Sequence, residues 1–367
     1  MNFNPLRLSI ARKRRMLNKK TLADRIGVEP HTIIRWEGCH TVPTDENVDA
    51  LVRVLDYPKA FFFGLDIDEP GENNTSFRSQ TTMSAAIRDA ALAAGALGFL
   101  ISDWISSRFD LPAVKLPDLH LYEPELAAQT LRQEWALGEK PISNMIHLLE
   151  SKGVRVFSLA ENTTTVNAYS LWRGNCPYVF LNTFKSAECS RFDAAHEVAH
   201  LVLHQDGKVK GREAEDQANK FASAFLMPRA DIISVLPRVQ HIQQLITAKL
   251  RWKVSLAALN YRVHKLGIIS DWKNRDFCIE IAKRGYNKNE PKGIDREKSV
   301  VWDKVIKTLW SEKTTHNDIA AELNLPSAEV IDLLFGVLNA PNTAPIEKQP
   351  LVVFVDSPSH DVSRSCA

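Results

Sequence analysis

Between Phe192 and His204 the chain reads FDAAHEVAHLVLH, and no other stretch limits its possible folds so tightly. Ala194, Ala195, Val198, Ala199, Leu201, Val202 and Leu203 place apolar side chains around the whole circumference of a helix, so this helix has to be buried on all sides. Polar side chains go into the interior with it. His196 and His200 stand one turn apart on a single face, and Glu197 lies one step round from them. Buried polar groups need partners. Either the imidazoles are hydrogen-bonded core histidines beside a paired glutamate, or they aim two nitrogens at one metal ion.

The next helix, expected over Arg212–Leu226, separates these readings. At about 3.6 residues per turn, Glu215 shares an apolar stripe with Ala222 and Leu226. Glu213 falls instead with Gln217, Lys220 and Ala224, and Asp216 with Lys220 and Ser223, on largely polar faces. A lone carboxylate on an inward stripe is costly unless it is paired or holds a metal. Glu215 is therefore the expected third ligand, and Asn219, one turn on, the side chain expected to steady a ligand. H-E-x-x-H is the spacing of zinc peptidases, and two histidines plus a glutamate leave a fourth position open, as a catalytic zinc does. In that chemistry Glu197 takes a proton from water and passes it to the leaving amine. His204 continues the spacing; a satisfied structural histidine is the stronger reading, a contact to the oxyanion the weaker one. Tyr178–Leu181 reads equally as a strand that takes an extended substrate and as a core strand.

The chain's 367 residues are too many for one ordinary core. The pattern predicts a mainly α fold with a small β-sheet (α+β) in which residues 1–64 form a helical bundle. Residues 65–120 form an acidic linker (Asp66–Asn74) and a long connector helix (Met83–Arg108). Residues 121–270 carry the metal helices and the strands Val154–Leu159, Ala168–Trp172 and Tyr178–Leu181. Helices at 271–340 and a Pro- and Ser-rich tail at 341–367 follow, in which Leu351–Val355 reads either as a terminal strand or as a disordered apolar patch. The apolar run Ala90–Leu100 is too short to span a bilayer and reads as a buried helix. The first twenty residues hold no apolar signal-peptide core, and the five cysteines are scattered, so a cytoplasmic setting is expected.

Net charge is only +2, but through Glu37 nine basic residues face three acidic ones, which points to a polyanionic partner. Leu22, Ala23, Ile26, Val28, Ile33 and Trp36 are spaced as a small helical core around a turn at Gly27. Pro30, His31, Ile34 and Arg35 then fall on the outer face of the second helix, where base edges would be read, with Lys19 placed for phosphate. The alternative is a helical docking or dimerisation unit. A weaker echo at Asn317–Leu334 contains no basic residue and reads as a support or partner surface.

These residues resemble the ImmA/IrrE family of zinc metallopeptidases in the version fused to an XRE, or Cro/C1-type, helix-turn-helix. The resemblance spans about residues 6–64 and 76–270. It is carried by TLADRIGVEPHTIIRWEG in the bundle, Ser76–Arg78, Leu131–Gly138, Tyr178–Asn182, Arg191–His204 and Glu215–Pro228. The family's histidine ligands fall on His196 and His200, its catalytic glutamate on Glu197 and its glutamate ligand on Glu215. Val198-Ala199 stand where the family commonly has Leu-Gly, and Cys189 where it has arginine. The resemblance implies a zinc-dependent regulator that cuts a repressor or transcription factor under stress or during mobile-element induction. It also implies an operator-binding head, with a homodimer as the geometric default. Two other readings stay open: a non-proteolytic transcriptional regulator whose zinc-binding domain only senses or docks, and self-cleavage within Asp66–Asn74.

Overall fold

The computed structural model describes residues 2–71, 76–77, 84–159 and 168–335. The predicted tail with Leu351–Val355 lies outside the described residues, as do Met83, Arg78 and residues 72–74 of the acidic stretch. The fold is mainly α with a small sheet, as the sequence pattern predicts.

Helices α1 (Pro5–Arg14), α2 (Lys19–Ile26), α3 (Pro30–Glu37) and α4 (Asp45–Leu55) form the N-terminal bundle, followed by a 3₁₀ turn at Lys59–Phe63. Side chains set the starts of these helices. Asn4, Asn18 and Thr44 accept hydrogen bonds from first-turn N–H groups of α1, α2 and α4, which would otherwise lack partners. Gly27 ends α2 in the left-handed conformation, at φ 74°.

Next come α5 (Ala85–Ser106), α6 (Pro124–Glu134) and α7 (Met145–Ser151). The sheet consists of β1 (Ser76–Phe77), β2 (Arg155–Leu159), β3 (Ala168–Arg173) and β4 (Cys176–Asn182), in the order β1-β3-β4-β2. β3 and β4 form an antiparallel hairpin, β2 runs parallel to β4, and β1 pairs antiparallel with β3. β4 is thus paired along both edges, which settles the Tyr178–Leu181 alternatives. It is a core strand, with no free edge to offer a substrate.

Alternation along the strands gives the sheet two faces. Phe157, Leu159, Tyr169, Leu171, Tyr178 and Phe180 point into one hydrophobic core, and Val156, Ala168, Val179 and Leu181 into another. The first core is aromatic: Tyr169 and Phe180 stack at 4.6 Å, and Phe157 meets Trp302 at 5.2 Å. α5 runs through this core and is more than a connector, since it also packs on α1. A side chain at Gly98 would come within 2.8 Å of Phe180, so glycine is what lets α5 approach the sheet. Among the described residues α5 alone is long and apolar enough to cross a membrane, and 67% of its apolar window is buried inside the fold.

The second core is covered by α8 (Ala187–Leu203), α9 (Gly211–Leu226), α10 (Arg229–Val235), α11 (Ile242–Trp252), α12 (Leu256–Lys265) and α13 (Asp271–Lys283). The chain then crosses back to the aromatic core through α14 (Val301–Ser311), α15 (His316–Leu323) and α16 (Ser327–Leu333). Carboxylates mark the crossing: Glu297 accepts from the N–H of Met145 at the start of α7, and Glu150 from those of Val300 and Val301 at the start of α14. Residues 271–335 therefore serve both cores. The described part of the acidic stretch is tied down as well. Asp66 bonds Asn4, Asp68 pairs with Arg173, and Glu69 with Lys13, each within 2.9 Å.

Candidate metal centre

α8 begins at Ala187 because Ser186 caps it, accepting from the Cys189 N–H. Its first turns are anchored by buried ions: Arg191 bonds Glu297 and the Ile142 carbonyl, and Glu188 pairs with Lys249 at 3.2 Å. These contacts fix the rotation of the helix. His196 and Glu197 are fully buried and His200 is 6% exposed.

α9 lies against α8 and ends at Leu226, since the proline after Met227 disfavours helical backbone at Met227. Its phase carries Glu215 to the two histidines. Glu215 Oε2 is 3.4 Å from His196 Nε2, Oε1 is 3.5 Å from His200 Nε2, and the two Nε2 atoms are 3.1 Å apart. Ligands at about 2.0–2.1 Å around a tetrahedral ion are separated by roughly 3.3–3.4 Å along each edge. Each carboxylate oxygen faces a different histidine at close to that edge length, and the ligand atoms of the three residues lie within 4.8 Å of one another, so these residues fit a zinc ion. Glu215 keeps about a quarter of its side chain exposed, which gives the cluster its solvent side. Burial raises the Glu215 carboxyl, but hydrogen bonds and positive charge from His196 and His200 outweigh this and bring it to about 2.

The outer nitrogens are held too. His196 Nδ1 lies 3.2 Å from Asn219 Oδ1, so the structure brings the expected steadying residue to its ligand. His200 Nδ1 meets His204 Nδ1 at 2.9 Å, and His204 Nε2 meets Gln217 Oε1 at 3.1 Å. With His200 offering Nε2 to a metal, protons run one way along this chain: His200 Nδ1–H donates to His204, and His204 Nε2–H donates to Gln217. Burial first, then the neighbouring His200, lowers the His204 pKa and keeps its imidazole neutral. Both ring nitrogens of His204 are thus engaged, by His200 and by Gln217, as the reading of a satisfied structural histidine expects.

Glu197 faces the sheet. Its Oε2 accepts a 2.6 Å hydrogen bond from Ser170 Oγ on β3. Sequence reasoning missed Ser170, although a signal was present: it is the small polar residue among the inward positions Ala168, Ser170 and Trp172. Gln217 and the Arg191–Glu297 pair were also missed, and in the latter the partners are 106 residues apart.

In the N-terminal bundle Leu22, Ala23, Ile33 and Trp36 are buried, and His31, Ile34 and Arg35 are exposed on α3, with Pro30 half-buried. The basic excess is largely consumed internally. Arg12 grips Glu37 with two bonds, and Lys19 lies 3.2 Å from the same carboxylate. Arg14 and Arg15 both reach Glu329 on α16, at 2.8 and 2.5 Å, and Arg7 donates to the carbonyls of Phe61 and Leu65. Lys20, Arg25 and Arg35 remain exposed with no ion pair among the described residues. The Asn317–Leu334 echo is α15 and α16, turned inward against this bundle.

Residues 149–264 match a peptidase family model described as the IrrE N-terminal-like domain. The matched stretch contains β2 to β4 and α8 and α9, with His196, Glu197, His200, Asn219 and Glu215 inside it. This part of the chain is similar to metallopeptidase-type domains of the ImmA/IrrE kind. No curated protein matches the chain.

Proposed function

We propose that this chain is a zinc endopeptidase that cleaves a regulatory protein such as a transcriptional repressor, and that its N-terminal bundle binds operator DNA as a homodimer. The observation that carries the reading is the convergence of His196, His200 and Glu215 within 4.8 Å, beside Glu197, in a stretch similar to metallopeptidase domains. Zinc held by these three side chains supplies Lewis acidity, which acidifies water and polarises a peptide carbonyl. Glu197 accepts the proton of the attacking water at its carboxylate and delivers it to the leaving amine nitrogen. Asn219 and the His204–Gln217 pair keep both imidazoles with Nε2 facing the cluster. Exposed Lys20, Arg25, His31, Ile34 and Arg35 support the DNA-binding part, in which Pro30, His31, Ile34 and Arg35 read base edges and Lys19, with its exposed neighbour Lys20, meets phosphate.

The test is incubation of the zinc-loaded protein, and of its Glu197→Gln variant, with proteins encoded beside it, followed by mass spectrometry of fragments. The reading expects fragments with the parent and a loss of about 10²- to 10⁴-fold in the variant, with zinc retained. Equal cleavage by both would overturn the mechanism. A zinc-bound protein that cuts none of them yet binds its operator would favour the sensing or docking role.

A further inference from the structure

We propose that Ser170 is the positioning residue for Glu197, an inference that rests on the peptidase reading above. Ser170 sits in the middle of β3 with 2% of its surface exposed. Its Oγ lies 2.6 Å from Glu197 Oε2 and 3.3 Å from the Glu197 backbone carbonyl. A hydroxyl has one proton to donate, and the contact to the side-chain oxygen is the shorter by 0.7 Å, so the proton goes to Oε2.

The donor is fixed from several directions. Ser170 is paired across the ladder with Val179 on β4 and with Ser76 on β1. Two residues on, Trp172 Nε1 donates to the Leu201 carbonyl at 3.2 Å, which sets the axial position of β3 along α8. A glutamate has three side-chain torsions, and burial alone does not choose among them. The Ser170 bond chooses, and it ties the carboxylate plane to the sheet, so Glu197 is oriented before any substrate arrives. The same face of β3 otherwise carries Ala168 and Trp172, and a buried hydroxyl there without such a partner would only cost desolvation.

The experiment uses the full chain as Ser170→Ala, Ser170→Thr, Glu197→Gln and the Ser170→Ala/Glu197→Gln pair. Each is checked for metal content and thermal unfolding. Acetohydroxamate, which binds a metal through its oxygens and bonds an adjacent carboxylate, is titrated into the Co²⁺-loaded proteins and read by their d–d absorption. Denatured casein supplies kcat and KM. Ser170→Ala should keep its metal, bind acetohydroxamate about 10-fold more weakly and lose about 10- to 100-fold in kcat, with KM nearly unchanged. Ser170→Thr should restore both, and Ser170→Ala should add nothing in the Glu197→Gln background.

Parental hydroxamate affinity in Ser170→Ala, a loss that threonine does not restore, or a loss that persists in the Glu197→Gln background would each overturn the proposal. The hydroxamate titration decides without turnover. Casein cleavage by Glu197→Gln at the parental rate would overturn the peptidase reading itself, whereas a Glu197→Gln protein impaired about 10²-fold or more beside a fully active Ser170→Ala overturns the role of Ser170 alone.

Discussion

Two regions of this molecule crowd ionisable side chains into a small volume, and they resolve the crowding in opposite ways. In the N-terminal bundle, cations gather around shared carboxylates: Glu37 faces Arg12 and Lys19, Glu69 faces Lys13, and Glu329 faces Arg14 and Arg15. At the metal centre, two imidazoles and a carboxylate turn toward one point, and the groups behind them, Asn219, His204 and Gln217, are neutral. Paired charges hold elements together. Convergent ligands backed by neutral donors and acceptors form a place for a cation. The difference lies in arrangement, not in the amount of charge.

The largest effect that would sharpen this contrast concerns Glu329. Its replacement by alanine removes the carboxylate that lies 2.8 Å from the Arg14 guanidinium, whose side chain is 7% exposed, at the junction of α1 and α16. Breaking a buried pair from one side costs about 3–5 kcal/mol. Denaturant unfolding of Glu329→Ala should show a loss of this size with zinc content unchanged; parental stability would mean that the pairing does not hold the junction. Next comes Asn219→Ala, which removes the neutral support of His196. A chelator competition should find zinc affinity lowered about 10- to 100-fold with little change in thermal unfolding of the apo protein. Unchanged affinity would place Asn219 outside the site.

The remaining effects concern DNA. Arg35→Ala should weaken operator binding by about 1–3 kcal/mol, and Lys20→Ala should lower the salt slope by about one. Lys19→Ala should lower that slope less, because its ammonium is held 3.2 Å from Glu37. A slope that falls equally for Lys19 and Lys20 would break the division between spent and available charge.

The same division explains what could be read from the sequence. The metal cluster was legible because its geometry is local: two ligands lie on one helical turn, and the phase of α9 picks Glu215 out of three candidate acids. The turn at Gly27 and the buried core of the bundle were legible for the same reason. The fate of the basic residues was not, since Arg14 and Arg15 meet Glu329 across 315 and 314 residues. Helical periodicity carries no information about such partners. α5 shows a further limit. Its Ala-rich pattern gave the helix and its burial, but the close approach at Gly98 depends on Phe180 of β4. Ser170 falls between these cases, visible by alternation on β3 yet meaningful only once α8 lies beneath it.

The central claim is that His196, His200 and Glu215 hold zinc. Elemental analysis of the purified full chain, beside its His200→Ala and Glu215→Ala variants, tests it most directly. The account predicts about one zinc per chain in the parent and a large loss in both variants. A parent free of zinc even after loading, or variants that retain it fully, would contradict the account.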